Sequence, residues 1–155
     1  MRLGKKAVYW ILPIVLVCMA LVPVLILLWQ VEDWSRDLSS NRAETSPTAT
    51  KESLRPITSA KSMKDLADLI EQTAGLLPGW QVTRREELEG VLIIKMVRTT
   101  RLMRFKDDIQ VRIEPLPSGE CRILAQSQSR VGKADFGQNP RNLAELLDKV
   151  RAGLR

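Results

Sequence analysis

Histidine is absent from this sequence, and cysteine is confined to Cys18 and Cys121. Without imidazole the chain lacks the commonest general base near neutral pH and the commonest zinc ligand. Ser-His-Asp, Cys-His and histidine-based metal chemistries are therefore excluded. The two cysteines build no disulfide framework, because Cys18 stands in a long apolar run and Cys121 in globular-type sequence. Aromatics are equally scarce, with four tryptophans, two phenylalanines and one tyrosine. No segment repeats another.

What is present begins with a charge-free run of 23 residues, Ala7 to Trp29 (AVYWILPIVLVCMALVPVLILLW). As a helix it extends about 34 Å, enough to cross a hydrocarbon core of about 30 Å. Pro13 and Pro23 are tolerated in membrane helices when neighbouring groups satisfy the freed backbone. Tyr9 and Trp10 at one end, and Trp29 and Trp34 at the other, match interfacial aromatic belts. The run is too long for a signal-peptide core, and Leu27 to Gln30 offers no small-residue cleavage site. The expectation is an uncleaved single-pass anchor over 7–29. Arg2, Lys5 and Lys6 precede it, whereas Glu32, Asp33, Arg36 and Asp37 follow. That charge bias predicts a plasma (inner) membrane protein, with residues 1–6 cytoplasmic and the C-terminal domain outside, as in a bacterial periplasm.

From Ser35 to Ser59 the composition turns to Ser, Thr, Asn, Ala and Pro, which predicts a flexible tether over residues 30–54 before an external domain over 55–155. Met63, Leu66, Ala67, Ile70, Ala74 and Leu77 form a helical stripe, with Ser62 as N-cap, Asp65 in the capping-box position and Pro78-Gly79 as the stop. Strands are predicted over Trp80–Arg84, Val91–Thr99, Asp108–Glu114 and Cys121–Ser129, with a turn at Pro117-Ser118-Gly119. A last helix over Pro140–Leu154 carries Leu143, Leu146, Leu147, Val150 and Leu154 on one face. The resulting class is α+β: an antiparallel sheet of about four strands with N- and C-terminal helices on one face, preceded by a transmembrane helix.

The segments FKDDIQVRIEP (Phe105–Pro115) and SQSRVGKADFGQNPRN (Ser127–Asn142) resemble the family called domain of unknown function 1499. The resemblance lies in Phe105-x-Asp107-Asp108 and in the spacing of Ser127, Ser129, Arg130, Gly132, Asp135, Gly137, Asn139 and Arg141, the last one place early. It extends over about Arg55 to Leu154 and implies the same domain, with no established activity.

Within the polar stretch, Asn139 and Pro140 read as the start of the final helix, and Gly132 and Gly137 as backbone permissions. Ser127, Ser129, Arg130 and Asp135 suit a structural network in which Arg130 forks onto Asp135 or Asp108. The competing reading is an anion site at the helix N-terminus, where Arg130, Lys133 and Arg141 add charge and a lipid phosphate or glycan acid binds. Asp107 and Asp108 point to opposite faces of a strand, and Asp108 is expected to be the buried, paired member. A carboxylate cluster of these with Asp135 matches no calcium loop. Lys95, Arg98, Arg101, Arg104 and Lys106 form an acid-free basic run, read as a solvated face with anionic lipid as the second choice. With Phe105 alone interleaved, and an external location expected, nucleic acid is not a predicted partner. From Thr50 onward there are 19 basic and 14 acidic residues, a balance suited to a membrane-proximal domain. No cofactor or metal is implied. The leading expectation is a non-enzymatic binding or scaffold module of the cell envelope with membrane lipids, and an anionic envelope ligand, as partners. A histidine-free, metal-free carboxylate hydrolase using Asp108, Asp135 and Arg130 is the alternative.

Overall fold

The computed structural model describes residue 13 and residues 15–22, 40–132 and 137–155. The expected cytoplasmic N-terminus and most of the predicted 7–29 span lie outside these residues. Within the span, Pro13 and residues 15–22 are helical, and Val15, Leu16, Val17, Met19, Leu21 and Val22 are exposed. Among the described residues no helix is long and apolar enough to cross a membrane.

The domain is α+β, built on six antiparallel strands: β1 (Arg42–Glu44), β2 (Ile57–Ser59), β3 (Trp80–Leu88), β4 (Val91–Thr99), β5 (Lys106–Pro115) and β6 (Cys121–Ser129). β3 to β6 form a meander, and the outer edge of β6 takes β1 along Gln126–Gln128 and β2 along Cys121–Ile123. Among the described residues of the domain, two helices, α1 (Met63–Leu76) and α2 (Gln138–Leu154), pack on this sheet.

The tether expectation needs correction here. Residues 42–44 are a strand, and a 3-10 turn over Glu52–Leu54 follows, with Ala43, Leu54 and Ile57 buried. Three-residue strands carry no periodicity. These form because β6 offers an unsatisfied edge whose N–H and C=O groups need partners. The sheet accordingly has six strands rather than four.

Alternation along the meander builds one apolar face. Leu92, Ile94 and Met96 of β4 align with Ile113, Val111 and Ile109 of β5, and these with Ile123, Ala125 and Ser127 of β6. All are buried, and α1 covers β3 to β5 while α2 covers β6 and β1. Each fully buried Leu or Ile contributes about 1.5–3 kcal/mol. Ser62 caps α1 as expected, its Oγ accepting from the Asp65 N–H at 3.1 Å and donating to Asp65 Oδ2 at 2.7 Å. Among the described residues, no helix packs on the opposite face of the sheet.

β3 runs to Leu88, four residues past its predicted end. Its second half, Arg85-Glu86-Glu87-Leu88, lacks apolar alternation because β3 is the edge strand of the sheet among the described residues, where charge discourages pairing with other chains. Glu89 (φ 51°) and Gly90 (φ 74°) join it to β4 in a two-residue turn with both central residues left-handed.

Candidate functional site

The predicted site residues divide between the two faces of the sheet. On the inner face, where β5 and β6 meet the first turn of α2, lies a polar cluster of Asp107, Ser127, Ser129, Asn139 and Asn142. Asp107 is 1% exposed, and Ser127, Asn139 and Asn142 are fully buried. Asp107 accepts from Ser129 Oγ at 2.7 Å and from Asn142 Nδ2 at 2.9 Å. Ser127 Oγ donates to Asn139 Oδ1 at 2.6 Å and accepts from Asn142 Nδ2 at 3.1 Å. Asn139 Nδ2 reaches Ser129 Oγ and the Asn41 carbonyl. Gln138 Nε2 completes the set by donating to Asn142 Oδ1 at 2.7 Å. Among the described residues, every hydrogen-bond partner of the Asp107 carboxylate is neutral.

Two expectations are reversed by this arrangement. Asp107, not Asp108, is the buried carboxylate: it shares parity with Ile109, Val111 and Ile113, so the strand that buries them buries it. Asn139 is not the cap of α2 either. Gly137 occupies that place in the left-handed region (φ 74°), and the first helical bond runs from Arg141 N–H to the Gly137 carbonyl at 3.3 Å. Pro140 therefore sits third in the first turn, where its missing N–H is still harmless. That shift frees Asn139 to point its amide into the core.

Asn142 escaped the sequence reading, although a signal existed. Asn139 and Asn142 extend the apolar stripe of Leu143, Leu146 and Val150 at helical spacing, so they face the sheet with it.

On the open face Arg130 does fork onto Asp108: Nε donates to Oδ2 at 2.8 Å and Nη2 to Oδ1 at 2.6 Å. Both are about half exposed. The hydrogen bonds that Arg130 donates to Asp108, reinforced by the carboxylate's charge, raise the Arg130 pKa further above its already high value. Arg141 is elsewhere, with its guanidinium on Gln138 Oε1 at 3.4 Å. Lys133 and Asp135 lie outside the described residues; of the anion site expected at the start of α2, Arg130 is bonded to Asp108 and Arg141 to Gln138.

The basic run is likewise no single face. Lys95 is on the open face, bonded to Glu86 at 2.7 Å, whereas Arg98, of opposite parity, turns inward beside Trp80 and Glu145. Arg101, Arg104 and Lys106 belong to the β4–β5 hairpin tip. Among the described residues, the Nε of Arg98 is a buried side-chain nitrogen without a hydrogen-bond partner, its nearest carboxylate oxygen being Glu145 Oε2 at 3.4 Å.

The open face has a repeated charge arrangement. Glu86 holds both Arg84 and Lys95 at 2.7 Å, and Glu114 holds Arg122 and, at 3.8 Å, Arg112. Each carboxylate thus serves two cations, which leaves the face with surplus positive charge. The hydrogen bond from Lys95 is the main reason the Glu86 carboxyl titrates below its ordinary value of 4.5; desolvation opposes the shift, and the charges of Arg84 and Lys95 add to it. A depressed carboxylate pKa stabilises the fold above its unfolded value and loses that contribution as pH falls through the folded one. Lys95→Met is expected to return the Glu86 midpoint toward 4.5, followed through its side-chain carboxyl carbon by NMR. An unmoved midpoint would assign the shift to Arg84 instead.

Between these pairs, Lys95, Asp108, Gln110, Gln126, Gln128 and Arg130 line a depression of about 290 Å³. Its size suits one compact polar group. Three glutamine amides supply neutral donors and acceptors, and Lys95 and Arg130 supply charge at its rim. Among the described residues no group of three or more His, Cys, Asp or Glu is placed to hold a metal ion. Asp107 and Asp108, on opposite faces, do not form an acid–base pair.

A family model described as "Protein of unknown function (DUF1499)" matches residues 33–150. The match begins well before Arg55, in keeping with a sheet that takes in β1 and β2. No curated protein matches the sequence.

Proposed function

The chain belongs to this family of proteins of unknown function, DUF1499, and from that premise we propose that it is a membrane-anchored binding module whose open sheet face captures an anionic ligand. The observation that carries the reading is the depression between Lys95 and Arg130, on a face that no described helix covers and that carries surplus cations. Phosphate or a sugar acid has the size and charge for it, with the Arg130 fork able to exchange Asp108 for a ligand oxyanion. Binding is favoured over catalysis because Asp107 is enclosed by hydrogen bonds on the far face, which leaves Asp108, held in the Arg130 fork, as the one carboxylate lining the depression among the described residues. Anchoring is supported by the charge-free run over 7–29 and by the exposed apolar side chains among its described residues. The charge bias around that run favours a cytoplasmic N-terminus and an external domain in the cell envelope.

The test is NMR titration of the full chain in detergent micelles with inorganic phosphate and, separately, with oligogalacturonate. The side-chain amides of Gln110, Gln126 and Gln128 are expected to shift and saturate with at least one probe. Arg130→Gln should weaken that response at least tenfold while leaving the melting temperature unchanged, since the Arg130–Asp108 pair is exposed. Amides that never move, or that move equally in Arg130→Gln, would sink the reading.

A further inference from the structure

The β4–β5 hairpin tip, Arg-Leu-Met-Arg-Phe-Lys over Arg101–Lys106, exposes its apolar residues rather than tucking them in. Leu102 is 89% exposed, Met103 63% and Phe105 47%, and Val131 nearby is 65% exposed. Single exposed apolar residues are ordinary, but a cluster at a projecting tip marks a contact surface. The tip is held in shape: Thr100 N–H donates to the Phe105 carbonyl and Phe105 N–H to Thr100 Oγ1, both at 2.9 Å, with Arg104 in the left-handed region at φ 57°. Arg101, Arg104 and Lys106 alternate with the apolar residues, and no acid interrupts them.

The place of the tip in the fold identifies what it meets. β4 ends, β5 begins and β6 ends at one pole of the sheet, and Arg130 N–H donates to the Lys106 carbonyl at 3.0 Å, which sets Val131 beside the tip. The N-terminal side of the domain arrives at that same pole. Asn41 accepts from Ser129 N–H at 2.9 Å, and its Nδ2 donates to the Gly132 carbonyl at 2.9 Å. Residues 30–40 separate Asn41 from Trp29, a reach of at most about 40 Å. A tether of that length lets this pole face the bilayer.

Resting on the anchoring reading above, we infer that the Arg101–Lys106 hairpin tip, with Val131, is a second membrane contact that docks on an anionic lipid surface. Leu102, Met103 and Phe105 enter the headgroup region, while Arg101, Arg104 and Lys106 pair with lipid phosphates. The domain is thereby held upright, with its open face directed along the membrane surface rather than tumbling on its tether.

The full chain carrying Leu102→Cys, with Cys18→Ala and Cys121→Ala, is labelled with an environment-sensitive fluorophore. It is then reconstituted in vesicles of phosphatidylcholine alone or of equal parts phosphatidylcholine and phosphatidylglycerol. Blue-shifted emission and quenching by spin-labelled lipid are expected in the mixed vesicles. Quenching should fall severalfold in phosphatidylcholine alone and in Arg101→Glu/Arg104→Glu. If the label stays in water while the protein resists carbonate extraction, the inference fails and the anchor stands. If carbonate strips the protein from both vesicle types, the anchor fails and takes the inference with it. Self-quenching of the fluorophore that rises with the protein-to-lipid ratio, without quenching by spin-labelled lipid, would show that a second copy covers the tip, which also overturns it.

Discussion

Asp107→Ala is expected to lower the melting temperature of the full chain by roughly 10–25 °C. The substitution leaves Ser129 Oγ and Asn142 Nδ2 without their acceptor in a region where Asn142 and Ser127 are fully buried. Each orphaned buried donor costs about 1–3 kcal/mol, and a kilocalorie is worth about 4 °C in a domain of this size. The small cavity left by the carboxylate adds to the loss. Asp107→Asn should fall between, because it keeps one acceptor but sets an amide donor against Ser129 or Asn142. Asp108→Ala, one residue along on the open face, is the control and should melt with the wild type. Circular dichroism in detergent reads all three. Equal melting of Asp107→Ala and Asp108→Ala would mean that the inner cluster does not hold the sheet to α2.

Gly79→Ala is the second large effect. Gly79 follows Pro78 between α1 and β3 with φ 81°, a conformation that costs an L-residue about 1–2 kcal/mol. A Cβ there would lie 2.5 Å from the Thr99 carbonyl oxygen, a backbone atom with little freedom because Thr99 N–H also donates to the Gly79 carbonyl at 2.8 Å. The clash must be relieved by moving the end of β4 or the start of β3, so the total should reach about 2–4 kcal/mol. Gly90→Ala separates the two contributions. Its φ of 74° is nearly the same, yet a Cβ there meets nothing within 4 Å. It should show the conformational penalty alone. If Gly79→Ala melts no earlier than Gly90→Ala, the close approach to Thr99 is softer than its geometry requires.

These two sites differ in how far a reader of the sequence could have anticipated them. Gly79 after Pro78 is a visible helix stop, but that a strand carbonyl from Thr99 lies against it depends on β3–β4 pairing. Asp107 was fully legible: the alternation of Ile109, Val111 and Ile113 assigns it to the inner face and Asp108 to the outer. The expectation of a buried Asp108 failed because it weighed the partner, Arg130, above the parity. Arg130 found Asp108 as anticipated, but on the surface.

The local elements were determined by the sequence itself. Ser62 and Asp65 dictate where α1 begins, Pro117-Ser118-Gly119 turns β5 into β6, and the spacing of Leu143, Leu146, Leu147 and Val150 makes α2 amphipathic. All of these rest on interactions among residues a few positions apart, or on periodicity that any core would read. The family resemblance belongs with them, because its residues are contiguous. Only the tertiary structure decided the rest. β1 and β2 are strands because the edge of β6 needs partners, and nothing within Arg42–Glu44 or Ile57–Ser59 says so. Asn139 and Asn142 are core residues because α2 lies over Asp107 and Ser127. The hairpin tip and Asn41 share a pole of the sheet because the meander returns there. Each of these facts depends on long-range pairing, and long-range pairing is set by which surfaces remain unsatisfied once the local elements have formed.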